Sequence, residues 1–184
     1  MNIFIDCGTN DCSGFGHFIN HLKIDDTWRT YSFEANPKWV ANCLPPGVNF
    51  FNKAVWVKGG KVSFKQYGGE GKSAGSLVAD TGGGKHYCDF YDEIEVGSID
   101  FHEFLCIFNK EDEIYIKMDI EHAEYDVLED MIKKGWPENI KEIWIDWHAV
   151  GGESAHDFDE HFASRKKKIM EDLSNSKTII HDWH

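Results

Sequence analysis

The sequence predicts a doubly wound α/β fold, in which a mostly parallel sheet carries helices on both faces. Three observations lead there. Short, unbroken apolar runs such as Ile3-Phe4-Ile5 stop abruptly at polar residues, the pattern of strands buried on both faces. Between such runs lie apolar residues at helical spacing: Phe15, Phe18, Ile19 and Leu22 in one place, Tyr125, Leu128, Met131 and Ile132 in another. Strands and helices of about 10–15 residues then alternate along the chain, which is the order of a parallel sheet with crossover helices.

The elements follow in order. Ile3–Ile5 is the first strand, ended by Asp6-Cys7-Gly8, and a helix follows over Phe15–Leu22. Trp28–Phe33 reads as the second strand, ending at Glu34. Pro37 opens a short helix, Lys38–Cys43, which Pro45-Pro46-Gly47 ends. Val48–Val57 reads as a third strand, paired after the Lys58-Gly59-Gly60 turn with Val62–Tyr67. Residues 68–84 hold seven glycines and read as a lid loop, too long for a mere connector. Glu93–Val96 is a strand, Ile99–Phe108 a helix, Ile114–Asp119 a strand and Glu121–Lys134 a helix that ends at Gly135. Ile143–His148 is a strand, residues 153–173 a charged helix, and Thr178–Trp183 the last strand.

The 184 residues suit a single domain, 1–184, able to bury its own core. Aromatic residues make up 14%, which excludes a disordered chain. The formal charge of −13 argues against nucleic acid as a partner, since phosphate affinity comes from cations. No apolar run is long enough to span a membrane, and the N-terminus does not read as a signal peptide. Cys7, Cys12, Cys43, Cys88 and Cys106 form no paired spacing, so they read as free thiols in a reducing, cytoplasmic setting.

Ligands of such folds bind beyond the carboxyl ends of the strands. Four of those ends carry acids: Asp6, Glu34, Asp119 with Glu121, and Asp146 beside His148. Gly8 allows a sharp turn, and Glu34 stands at the next strand end, where a carboxylate accepts hydrogen bonds from both ribose hydroxyls. A dinucleotide fingerprint beginning at Gly8 would need glycine where Asn10 and Ser13 stand, which disfavours an NAD-dependent oxidoreductase. An acidic loop without a phosphate cradle suits a nucleoside with a cationic part, such as S-adenosylmethionine. Cys7, Cys12, His17 and His21 lack the spacing of a zinc finger. Gly71-Lys72-Ser73 has Gln66 where a phosphate loop needs its first glycine.

The segments 5–10 (Ile-Asp-Cys-Gly-Thr-Asn), 33–37 (Phe-Glu-Ala-Asn-Pro), 52–55 (Asn-Lys-Ala-Val), 98–101 (Ser-Ile-Asp-Phe), 116–124 (Ile-Lys-Met-Asp-Ile-Glu-His-Ala-Glu) and 144–148 (Trp-Ile-Asp-Trp-His) together resemble the FkbM family of methyltransferases. The resemblance implies a Rossmann-like class I fold and S-adenosylmethionine-dependent O-methylation of a sugar or sugar-like hydroxyl, on a small-molecule or glycan acceptor. It also implies that Asp6, Gly8 and Asn10 form the cofactor loop, that Glu34 holds the ribose, and that Asn52 and Ala54 lie by the adenine. Asp119, Glu121 and His148 match its acidic pair and terminal histidine. Cys12 and His122 stand where the family has glycines. For the chemistry, His148 reads as a general base poised near neutrality, oriented by Asp119; the other reading gives Asp119 and Glu121 to Mg²⁺. Lys72, Ser73 and Ser76 on the lid are candidate polar contacts. A methyltransferase fold that binds cofactor or a partner without turnover is the alternative that Cys12 and His122 keep open.

Overall fold

The computed structural model describes residues 1–39, 43–67, 75–77, 91–148 and 160–183. The chain opens with β1 (Asn2–Cys7), α1 (Ser13–His21), β2 (Arg29–Phe33) and β3 (Asn49–Phe51). Next come β4 (Ala54–Trp56), β5 (Gly60–Tyr67), β6 (Gly75–Ser76), β7 (Tyr91–Asp100) and α2 (Phe101–Leu105). It closes with β8 (Glu113–Met118), α3 (Ala123–Lys134), β9 (Ile140–Ile145), α4 (Glu160–Asp172) and β10 (Ile179–Asp182).

Six strands form the main sheet in the order β10-β9-β8-β1-β2-β3, and every pairing in it is parallel. The chain starts in the middle, winds outward through β2 and β3, and returns to the other flank of β1 as β8. The reversal between β1 and β8 opens a crevice at their carboxyl ends, where such sheets bind ligands. Alternate residues of β1 serve opposite faces, as the pleat requires. Ile3, Ile5 and Cys7 join the larger core with Tyr125, Leu128 and Met131 of α3 and with Phe162 and Ile169 of α4. Phe4 joins Phe15 and Phe18 of α1 and Trp144 of β9 on the other face. The sheet is therefore Rossmann-like and covered on both faces, as the sequence predicts.

Several elements differ from the sequence reading. Val48–Val57 is two strands, not one. Lys53 donates its backbone N–H to the Phe51 carbonyl at 2.9 Å, a three-residue turn that bends the chain out of the main sheet. β4 thereby enters a second sheet of order β4-β7-β5-β6. There β5 does not pair with β4. The ten residues of β7 lie between them, antiparallel to β5 from Gly60↔Ser98 to Tyr67↔Tyr91. Apolar Ala54, Phe64 and Val96 close this sheet against the main one's edge, with Ala35 and Leu77 beside them. The helix expected from Ile99 begins at Phe101, because Asp100 ends β7 and its carboxylate accepts the Glu103 N–H at 3.0 Å as an N-cap. Pro37 and Lys38 sit in a turn rather than a helix, and residues 40–42 lie outside the described residues. Of the predicted lid, only 75–77 are described, so Lys72, Ser73 and most of that prediction lie outside; so do residues 153–159 of the charged helix.

The cysteines are the plainest correction. Cys12 and Cys43 form a disulfide, with their Cα atoms 6.1 Å apart; Cys7 and Cys106 are free, and Cys88 lies outside the described residues. The crossover after β2 returns over the α1 face, where Leu44 and Val48 pack against the same cluster as Cys12. That proximity is a product of the winding and has no trace in the linear spacing. The bridge closes a loop of 31 residues, which by chain entropy corresponds to about 2–4 kcal/mol. Cys43→Ser is expected to lose that much stability in urea unfolding. A reductant is expected to produce the same loss in the native sequence and no further loss in the variant.

Candidate functional site

The site is laid out by a ladder of backbone hydrogen bonds just past the strand ends. Glu34 donates its N–H to the Phe51 carbonyl at 3.1 Å, Gly8 to Phe33 at 2.9 Å, Asp119 to Cys7 at 3.0 Å, and Asp146 to Met118 at 2.9 Å. Each donor is the first residue beyond its strand and each acceptor the last of the neighbouring one. Parallel register therefore lines up Glu34, Gly8, Asp119 and Asp146 along one edge. Gly8 sits at φ +84°, and a Cβ there would fall 1.8 Å from the Asp119 carbonyl oxygen, so only glycine fits.

Beneath this edge lies a buried ion cluster. Lys117 is 2% exposed and Asp6 fully buried. The Lys117 ammonium donates to the Gly8 carbonyl at 2.6 Å and stands 3.3 Å from Asp6 Oδ1 and 3.2 Å from Asp119 Oδ2. Burial alone would push its pKa down, but the two carboxylates outweigh that and hold it above the ordinary lysine value. Burial pushes the Asp6 carboxyl up, with Lys117 pulling it back.

Above the cluster a cleft opens beyond the carboxyl ends of the strands. Glu34, Asp119 and Glu121 give it acidic walls, while Phe33, Ala54, Val55, Phe64 and Leu77 give it an apolar one. The Glu34 carboxylate accepts the N–H groups of Asn10 at 2.8 Å and Asn36 at 2.7 Å. Each of its oxygens keeps a second lone pair. Of the residues named from the sequence, Gly8, Asn10, Glu34, Ala54, Asp119 and Glu121 line the cleft. Asp6 does not; it is turned to Lys117 below the floor. Asn52 stands behind the wall, where its Nδ2 donates to the Glu34 carbonyl at 2.7 Å.

His148 stands one layer back. Its Nε2 is 3.4 Å from Glu121 Oε2 and 3.8 Å from Asp119 Oδ1. Its Nδ1 is 3.2 Å from Oε1 of Glu124, which also accepts the His148 N–H at 3.0 Å. The Tyr125 hydroxyl donates to the His148 carbonyl at 2.6 Å. Asp119 and His148 thus meet on one side of the sheet edge, as the sequence reading requires. The protonation of His148 differs from that reading. Burial would push the imidazole down, but Glu124, then Glu121 and Asp146, raise it to about 10, so His148 is an imidazolium at neutral pH. The free protein therefore does not present a base poised near neutrality.

Asp119, Asp146 and His148 bring ligand atoms within 4.8 Å of one another. That set includes Asp146 and an imidazole rather than Glu121, whereas Mg²⁺ favours carboxylate, carbonyl and water oxygens. Lys117 already holds Asp119 Oδ2, and His148 carries a proton. The residues fit Mg²⁺ poorly, and no step is assigned to it.

A family model described as the methyltransferase FkbM domain matches residues 6–168 of the chain. The chain belongs to the FkbM methyltransferase family. No curated protein and no solved structure matches it. Membership supports a methyltransferase and implies a methyl donor. No helix among the described residues is long and apolar enough to cross a membrane.

In this FkbM domain the backbone is left-handed at the two positions where the sequence resemblance implies glycine. Cys12 has φ 68° and His122 φ 73°, and Glu121 beside the latter has φ 53°. Left-handed backbone costs a residue with a Cβ roughly 1–2 kcal/mol. The His122 ring lies 5.4 Å from that of His148 and 5.3 Å from that of Phe162, centroid to centroid, so it fills space at the edge of the site.

Two residues of the site went unnamed as candidates in the sequence: Lys117 and Glu124. Both left a signal. Lys117 interrupts an otherwise apolar strand, and Glu124 lies on the inward stripe of α3 with Leu128 and Met131.

A pH dependence follows. His148 has a folded pKa of about 10 against an ordinary 6.5, so its ion pairing stabilises fully below pH 6.5 and is lost as pH rises through 10. In NMR titration the His148 imidazole is expected to remain charged at pH 8. Glu124→Gln removes a charge-assisted hydrogen bond and is expected to lower its midpoint by about 1–2 units.

Proposed function

We propose that this FkbM domain transfers the methyl group of S-adenosylmethionine to a hydroxyl of a sugar or sugar-like small molecule. The observation that carries the reading is the Glu34 carboxylate on the wall of a cleft at the switch point of the sheet. Its two oxygens are fixed by backbone donors and each keeps a lone pair for a ribose hydroxyl. The apolar wall around Ala54 and Phe64 suits an adenine ring, and Asn10 and Gly8 border the ribose. The acids at the other end, Asp119 and Glu121, suit a sulfonium and repel a pyrophosphate, which favours this cofactor over NAD.

The cofactor, when bound, supplies an electrophilic methyl on sulfur. The chain's own part is to hold an acceptor hydroxyl in line with it and to receive the proton. Asp119, at the cleft wall and 31% exposed, takes the proton from the attacking hydroxyl oxygen on its carboxylate. His148 stands beside it as an imidazolium, held by Glu124, and keeps Asp119 and Glu121 from repelling each other. The base expected of His148 is thus reassigned to its carboxylate neighbour.

Glu34→Ala is expected to weaken S-adenosylmethionine binding by about 2–3 kcal/mol, roughly 30- to 150-fold, in calorimetric titration. Unchanged affinity would overturn the ribose assignment. Label transfer from methyl-tritiated S-adenosylmethionine to a panel of monosaccharides and glycosides tests the reaction itself, and NAD binding in place of S-adenosylmethionine would refute it.

A further inference from the structure

Lys117 lies on the α1 side of β8, with no water-exposed face to its ammonium. The ammonium donates to the Gly8 carbonyl at 2.6 Å and is ion-paired with Asp6 Oδ1 at 3.3 Å and Asp119 Oδ2 at 3.2 Å. Burying an ammonium is costly even when it is paired, and apolar side chains of similar volume often serve stability as well. What an apolar side chain does not do is aim oxygen atoms. Two of these three oxygens belong to the two halves of the cleft. Gly8 begins the loop that reaches Asn10 and Glu34, and Asp119 faces the acceptor end.

We infer that Lys117 is a positioning residue of the transfer reaction, a single ammonium that fixes the cofactor loop and the Asp119 carboxylate relative to each other. The inference rests on reading the cleft as a site for S-adenosylmethionine. By holding Oδ2 of Asp119, Lys117 leaves Oδ1 as the oxygen nearest His148 Nε2, at 3.8 Å. By holding the Gly8 carbonyl, it sets the height of the loop in which the Asn10 N–H reaches Glu34 at 2.8 Å. Gly14, in the first turn of α1, makes room for it: a Cβ there would lie 3.2 Å from Lys117 Cε and 3.5 Å from Nζ. A methyl group at position 14 therefore presses on the end of the lysine stem.

That contact gives a test that separates positioning from mere support. Gly14→Ala removes no charge and places a better helix former in α1, so melting temperature is expected to stay level or rise. The ammonium shifts by a few tenths of an ångström, and S-adenosylhomocysteine is expected to bind about 3- to 10-fold more weakly by calorimetry. The second variant combines Lys117→Met with Asp6→Asn, which removes the buried cation and its buried partner together. It is expected to fold and to bind S-adenosylhomocysteine about 10- to 100-fold more weakly. Both variants binding within about twofold of the native protein would overturn the inference. Gly14→Ala losing affinity only in step with stability would also overturn it, because a purely structural lysine behaves in that way. Should the double variant fail to fold, Gly14→Ala decides alone. A native protein that binds no S-adenosylhomocysteine overturns the functional reading and this inference with it; native binding with unaffected variants overturns this inference only.

Discussion

An ammonium buried between a sheet and a helix must be matched by oxygens, and in this chain the oxygens come from parts of the sequence more than a hundred residues apart. Lys117 on β8 meets Asp6 on β1 and the carbonyl of Gly8 just beyond it. The demand can be met only if β1 and β8 are neighbours and in parallel register, with Asp6 opposite Lys117. The same register then sets Asp119 over Cys7, and the β8–β9 register sets Asp146 over Met118, which spaces the acids along the sheet edge. Fold and site are joined at this point. A slip of one residue between β1 and β8 would turn the lysine into the apolar core and scatter the acids.

The upper layer of charge is organised around a second cation. His148 takes a proton because Glu124, Glu121 and Asp146 surround it, and it tempers an acidic region that also faces Asp119. An apolar acceptor pocket would need no such device. On the proposed reading, the clustered carboxylates suit a positively charged donor, and the imidazolium lessens their mutual repulsion.

The parallel sheet was legible because strands buried on both faces leave unbroken apolar runs that end at polar residues. The strand-end acids were legible for the same reason, since a carboxylate at such an end is conspicuous. The second sheet was not. Whether Val48–Val57 is one strand or two depends on a bend at Asn52, which its side chain supports by reaching the Glu34 carbonyl, a partner 18 residues away. The pairing of β5 with β7 over β4 depends on a strand beyond an intervening glycine-rich stretch. The disulfide escaped because it is a consequence of winding. The charge of His148 escaped because an isolated histidine says nothing of Glu124, which reaches it from a separate element. Lys117 was visible as a lysine in an apolar strand, but its three oxygens emerge only with the sheet assembled.

The left-handed backbone at Glu121 and His122 has a consequence of a different kind. Two successive residues with side chains occupy a conformation that glycine would adopt without strain, at the entrance to α3 and beside the acidic edge. Glycine at position 122 would relieve that strain and would give up the tilted ring contacts with Phe162 and His148. The imidazole at that position sets backbone strain against ring contacts that shape the edge of the site. A change to glycine at position 122 therefore starts from strained backbone, so it can reshape the acidic edge while gaining stability.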